Sequence, residues 1–253
     1  MRIATLGSGS RGNATLVEGG GVRVLVDCGL PVREVERRLA LIGVAPQTLE
    51  AVLLTHEHGD HVRGVGALAR KYGLAVWSSA GTWRGARCGE VPKLELFTPH
   101  QSAFALGGLS IQPYPVPHDA REPCQFALRS AGRCFVMLTD TGCVTPHVLE
   151  VLAACDGLLI ECNHDPDMLR SGPYPPALQG RVGGALGHLS NQQAAEALGR
   201  IDERRLGFVV AAHLSEQNNR PEAVRQALLE VCPGLDGRLS VAEQDAPGEW
   251  LSL

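Results

Sequence analysis

The stretch LLTHEHGDH, residues 53–61, constrains this chain more than any other. His56, His58, Asp60 and His61 fall within six positions, directly after the apolar run AVLL. A short apolar run bounded by polar residues reads as a buried strand, so these side chains occupy the loop that leaves its end. From such a loop, positions 56 and 58 can offer imidazoles to one ion while positions 60 and 61 turn toward a second. Imidazole suits zinc, iron and manganese, and a carboxylate suits the harder of these. A solvated histidine-rich loop is the bland alternative, but chance seldom sets this spacing at a strand end.

The rest of the chain allows a sizeable core. It has 253 residues, of which 44% are hydrophobic, and no segment is long and apolar enough to span a bilayer. The opening MRIATLG reads as a first strand, not as an export signal. The eight cysteines are scattered with no Cys-x-x-Cys pair, which favours reduced, buried thiols over disulfides. A cytoplasmic enzyme is the expectation. The net charge of −4 gives no global field for nucleic acid, although a local cluster can hold phosphates without one.

Apolar, β-rich runs recur at residues 3–6, 14–17, 22–26, 51–54, 109–116, 124–128, 134–138, 157–160 and 207–211. Helical periodicity marks residues 32–42, 61–72, 145–153, 191–200 and 221–231, with Ser190 as an N-cap. Strands come both as meanders and in alternation with helices, so a doubly wound sheet or two sheets with outer helices would fit. Residues 170–188, rich in proline and glycine, have the composition of a long loop, which a compact chain seldom keeps unused. No repeat or linker divides the sequence. A single domain, 1–253, is expected.

Four more segments carry candidate ligands beside apolar runs: Asp27 in VLVDCG, His118 in VPHDAREP, Asp140 in LTDTG and His213 in VVAAHLSEQNN. Each alone would be ordinary. In this order, together with LLTHEHGDH, they resemble the metallo-β-lactamase superfamily. The resemblance implies a four-layer αββα sandwich of class α+β and two divalent metal ions per chain, zinc or manganese. It assigns His56, His58 and His118 to one ion and Asp60, His61 and His213 to the other, with Asp140 shared. Asp27 would support the site from behind. Asp140 stands where exported zinc β-lactamases of the commonest kind have cysteine.

Two further motifs lie between Asp140 and His213: LLIECNHD with Glu161, and GHLSN with His188. In nucleic-acid-processing relatives such as tRNase Z, a glutamate and a histidine in these intervals pair to protonate the leaving oxygen. A histidine held by a carboxylate is suited to that task, because phosphodiester cleavage expels an alkoxide. A helix cap around His188 and a solvated carboxylate at 161 are the plain alternatives.

The segments GSGSRGNAT, LTHEHGDH, HDAREP, TDTG, ECNHD, YPPALQGRVGGALGHLSN and HLSEQNN make the chain most similar to the YycJ/WalJ-like family. Members are described as metal-dependent exonucleases acting on DNA from 5′ ends. The resemblance implies a phosphodiesterase using metal-activated hydroxide, with Asp60, Glu161 and His188 in catalysis and a nucleic acid, DNA first, as substrate; Asn13, Arg181 and Ser190 are candidate substrate contacts. The 73-residue interval from Asp140 to His213 has no room for the β-CASP insertion of larger relatives. The GSGS opening could cradle an anion through its backbone N–H groups or simply turn the chain. Hydrolysis of a small phosphodiester or thioester, or a non-catalytic regulatory role, remains the alternative. Oligomeric state is left open, and no membrane partner is expected.

Overall fold

All nine runs read as strands are strands in the computed structural model, which describes residues 1–253. The residues group into two compact units. The first comprises Met1–Pro115, Ala120–Gly132 and Ala242–Ser252. Its strands β1 (Arg2–Gly7), β2 (Ala14–Gly19) and β3 (Val22–Val26) form an antiparallel meander. Strands β4 (Ala51–Leu53), β5 (Ala75–Ser79) and β6 (Lys93–Phe97) extend it in parallel. Parallel neighbours need crossovers, here α1 (Val32–Leu41), then α2 (Gly59–Val62) with α3 (Val65–Tyr72), then α4 (Ala80–Ala86). Leu251–Ser252 pairs with β1 at the opposite edge. Strands β7 (Phe104–Leu106), β8 (Leu109–Pro115) and β9 (Cys124–Ser130) make a second antiparallel meander. Leu6, Leu16, Leu25, Leu39, Val52 and Leu68 share one buried cluster in this unit.

Residues 61–72 do not form the single helix their periodicity suggests; α2 ends before Gly64 and α3 begins after it. The cause is a pair of hydrogen bonds that leave the helix ladder. Gly64 N–H donates to Cys28 O at 2.8 Å, and Asp60 O accepts from Asn13 N–H at 2.7 Å. A Cβ at Gly64 would stand 2.1 Å from Leu30 O, so only glycine permits this approach. The break frees the backbone of the histidine loop to be strapped to neighbouring segments.

The second unit comprises Val116–Asp119, Arg133–Val241 and Leu253. Strands β10 (Arg133–Leu138), β11 (Gly157–Glu161), β12 (Phe208–Ala212) and β13 (Leu239–Val241) run parallel throughout. Every residue of β11 and β12 is buried, which is why they read as unbroken apolar runs. Their crossovers are α5 (Pro146–Leu152), α6 (Pro166–Ser171), α7 (Pro176–Val182), α8 (Asn191–Leu198) and α9 (Pro221–Val231). The expected loop at 170–188 therefore contains a helix, α7, and the end of α6. Pro166 and Pro176 stand at first helical positions, where the missing N–H costs no bond. Ser190 caps α8 as expected, in a reciprocal box with Gln193. All eight cysteines are free. No helix is long and apolar enough to cross a membrane.

Candidate metal centre

In the first unit the histidine loop is organised by Asp27, which directly follows β3 and is 3% exposed. Its Oδ1 accepts Thr55 N–H at 2.9 Å, and its Oδ2 accepts the Thr55 hydroxyl at 2.7 Å. The same Oδ2 lies 2.8 Å from His61 Nδ1. A carboxylate can only accept, so Nδ1 carries the proton and His61 Nε2 keeps its lone pair for a ligand. Thr55 repeats the logic one step away. Its hydroxyl proton is committed to Asp27, so its oxygen accepts from His56 Nδ1 at 3.0 Å. That leaves His56 Nε2 as the nitrogen with the ring lone pair, 3.0 Å from His58 Nδ1. Two ligand nitrogens about 2.0–2.1 Å from a tetrahedral ion stand roughly 3.3 Å apart, so this pair fits a shared metal.

Asn13 ties the opening loop to the same place. Its Nδ2 lies 3.2 Å from Asp60 Oδ2 and 3.0 Å from His61 Nε2, and its Oδ1 accepts Gly9 N–H at 2.8 Å. Ser8, Arg11 and Gly12 donate their N–H groups to Glu243 O, Gln244 Oε1 and Gly9 O. With these donors engaged, the GSGS segment is a turn and not an anion cradle. Arg11 itself pairs with Asp245 at 2.7 Å.

In the second unit three parallel strands deliver their ends side by side, with Leu138 level with Ile160 and Ile160 level with Ala211. Asp140, Glu161 and His213 emerge there, at the carboxyl ends where open parallel sheets place their sites. Asp140, Glu161, His188 and His213 each offer a ligand atom within 4.8 Å of the others. Glu161 Oε1 lies 2.7 Å from His188 Nδ1 and 2.9 Å from His213 Nδ1. Its Oε2 accepts Thr141 N–H at 3.1 Å and Leu189 N–H at 3.2 Å. Burial alone would raise the Glu161 carboxyl; the charge and hydrogen bond of His188, with His213, outweigh it and hold the pKa at about 2. Burial likewise pulls His188 down, yet Glu161 prevails and its pKa is raised. His213 Nδ1 also lies 3.2 Å from Asp140 Oδ1, so its Nε2 keeps the lone pair. His118 Nδ1 donates to Gly187 O at 3.1 Å, which leaves the ring lone pair on Nε2, 3.5 Å from Asp119 Oδ1.

Asp27, Asp140 and His213 share a second property. All three have positive φ, at 59°, 53° and 56°, among only five non-glycine residues that do so. Non-glycine residues in the left-handed region are uncommon and cluster at functional sites, with aspartate and histidine among the most tolerant.

Of the expected substrate contacts, Asn13 lies beside the candidate ligands Asp60 and His61 of the first unit. Ser190 accepts Gln193 N–H within the α8 cap, and exposed Arg181 pairs with Asp119 at 2.6 Å. Thr55 and Gly187 carry no signal in the sequence, whereas two asparagines of the quoted motifs gain partners only in the fold: Asn163 Nδ2 donates to His213 O at 3.0 Å, and Asn219 Nδ2 donates to Cys162 O at 2.7 Å. The asparagines in ECNHD and HLSEQNN were visible as polar residues after apolar strands, but nothing local gave their partners.

Residues 22–209 match the Beta-lactamase superfamily domain, and the chain belongs to that superfamily. Its fold is the metallo-β-lactamase fold, built on two mixed sheets with flanking helices, and membership places it among metal-dependent hydrolases. Among curated proteins it is similar to exodeoxyribonuclease WalJ of Streptococcus pneumoniae serotype 2 (strain D39 / NCTC 7466), with 36% identity over 90% of this chain and 87% of that protein. It is 32% identical to exodeoxyribonuclease YycJ of Bacillus anthracis, over 91% of this chain and 89% of the relative. Among solved structures, the metallo-β-lactamase fold protein YhfI of Bacillus subtilis superposes with a TM-score of 0.74 at 18% identity, covering 99% of this chain and 98% of that one. The imidazole and carboxylate donors described above suit divalent metal.

Proposed function

We propose that this chain is a dinuclear-metal phosphodiesterase of the cytoplasm, acting as a DNA exonuclease that works from 5′ ends, and that its two units serve as one hydrolase domain, 1–253. His56, His58 and His118 would hold one ion, Asp60, His61 and His213 the other, and Asp140 both, with zinc or manganese as the metal. The bound metals would supply Lewis acidity and an activated water. The observation that carries the reading is the Glu161–His188 pair, 2.7 Å apart, beside Asp140 and His213. A thioester releases a thiolate that needs no proton; a phosphodiester releases an alkoxide that does. The likeness to two exodeoxyribonucleases over most of the chain supports DNA as that phosphodiester.

The roles of the protein groups follow from their bonds. Glu161 accepts from His188 Nδ1, orients the ring and favours its protonated form. His188 Nε2 is then the atom that gives a proton to the departing oxygen. Asp60 would be a metal ligand whose carboxylate also helps to orient the attacking water. Asn13, Arg181 and Ser190 would steer the strand. End-labelled DNA duplexes with 5′-phosphate, incubated with zinc or manganese, test this directly. Release of label from the 5′ end ahead of the 3′ end is the expected result. Hydrolysis of bis(p-nitrophenyl) phosphate without any cleavage of DNA would overturn the substrate assignment.

A further inference from the structure

His164 has no part in the mechanism above, yet its environment is that of a group built to meet something. It lies three residues beyond Glu161 and is 3% exposed. Its backbone is locked: it bridges to Ser190, and its carbonyl accepts Asn191 N–H at 2.9 Å. Its ring is not locked in the same way. Nδ1 is buried without a hydrogen-bond partner. Nε2 points toward Gly183, just past α7, and lies 3.9 Å from where a Cβ at that residue would stand. Gly183 is exposed and has no side chain, so Nε2 lies beneath an exposed stretch of bare backbone, the opening at Gly183. Burial holds the ring below its ordinary pKa against the pull of Glu161, which favours the form with a single ring proton. A buried N–H without an acceptor is the costlier orphan, which puts that proton on Nε2, facing the opening.

We propose that His164 is a further substrate-binding residue, whose Nε2–H donates to a phosphate oxygen of the polynucleotide strand entering through the opening at Gly183. The proposal rests on the phosphodiesterase reading. One neighbour fits an anion there. Arg181, two residues before Gly183, is exposed and engages Asp119 through Nε, leaving its Nη groups for a second anion. His164 itself stands three residues beyond Glu161, the last residue of β11, and so on the same strand end as the partner of the proton donor. The site would take a backbone phosphate beside the one attacked, which a small diester lacks.

Three variants test this with 5′-phosphorylated DNA and bis(p-nitrophenyl) phosphate as parallel substrates. His164→Phe removes the donor; KM for DNA should rise about 10- to 100-fold, the worth of a hydrogen bond to a charged group, with kinetics on the small diester unchanged. His164→Gln restores an N–H and should recover most of the loss. Gly183→Ala leaves His164 intact and adds a methyl group across the opening. Its φ of −84° and ψ of 6° suit alanine, and the nearest atom, Leu169 Cδ2, would be 3.4 Å away. It should keep the wild-type melting temperature yet raise KM for DNA. Wild-type KM for Gly183→Ala, or a His164→Phe protein that melts earlier but binds DNA normally, would make His164 a packing residue. A wild-type enzyme that cleaves the diester and no polynucleotide would remove the nuclease reading, and this proposal with it.

Discussion

Glu161 Oε1 stands 2.9 Å from Nδ1 of His213, as well as 2.7 Å from Nδ1 of His188. One buried oxygen thus orients both the proposed proton donor and a proposed metal ligand. Glu161→Gln should therefore damage two functions. We expect the affinity for the second metal to fall about 10- to 100-fold, as when a partner of a ligand histidine is lost. Turnover at saturating metal should also fall. Metal titration by calorimetry beside kcat checks both; unchanged metal affinity would confine Glu161 to His188 alone.

His188→Ala separates the two roles. The variant should keep its metals and lose about 10²–10⁴-fold in rate on DNA, the usual contribution of general acid catalysis. On bis(p-nitrophenyl) phosphate, whose leaving group departs without a proton, the loss should shrink. Equal losses on both substrates, or loss of metal, would mean that His188 is a ligand.

Asp27 should be sensitive in a graded way. Asp27→Asn keeps one acceptor oxygen and a residue tolerant of φ near 59°, so it should fold and bind metal more weakly. Asp27→Ala loses both bonds to Thr55 and the bond to His61, and adds roughly 1–2 kcal/mol of left-handed backbone strain. Its melting temperature should drop well below that of the asparagine variant. Similar melting of the two would show that neither strain nor the second oxygen matters.

The Glu161–His188 pair also predicts how the chelated protein responds to pH. Glu161 is lowered from its ordinary 4.5 to about 2, so its stabilisation is present above 4.5 and lost as pH falls toward 2. His188 is raised from 6.5, so its share is complete below 6.5 and lost as pH rises through the shifted value. The gap in melting temperature between wild type and His188→Ala should be widest between about pH 4.5 and 6.5. A gap that is flat with pH would show the pair to be uncharged.

Much of this architecture was legible in the sequence because its strands are buried on both faces or alternate cleanly. The runs at β2, β3, β11 and β12 are β-branched and apolar, and their bounds were read to within two residues. Strand β6, KLELF, escaped notice because only Phe97 is fully buried and its charges read as loop. Helix α7 escaped because its prolines, which start it, also punctuate loops. The histidine cluster was visible because its members are adjacent in sequence. The Glu161–His213 bond was not, since 52 residues separate the partners and only the register of β11 against β12 brings them level.

The left-handed backbone at Asp27, Asp140 and His213 has an evolutionary consequence. Positions with φ near +55° tolerate glycine, asparagine, aspartate and histidine far better than branched or bulky side chains. Three of those four are polar, and two of them are strong metal donors. The turns that end these strands thus draw from a small alphabet already rich in donors. Drift at these corners stays close to metal-competent chemistry, so a lineage could change its substrate through the loops while the corners go on proposing the same few residues.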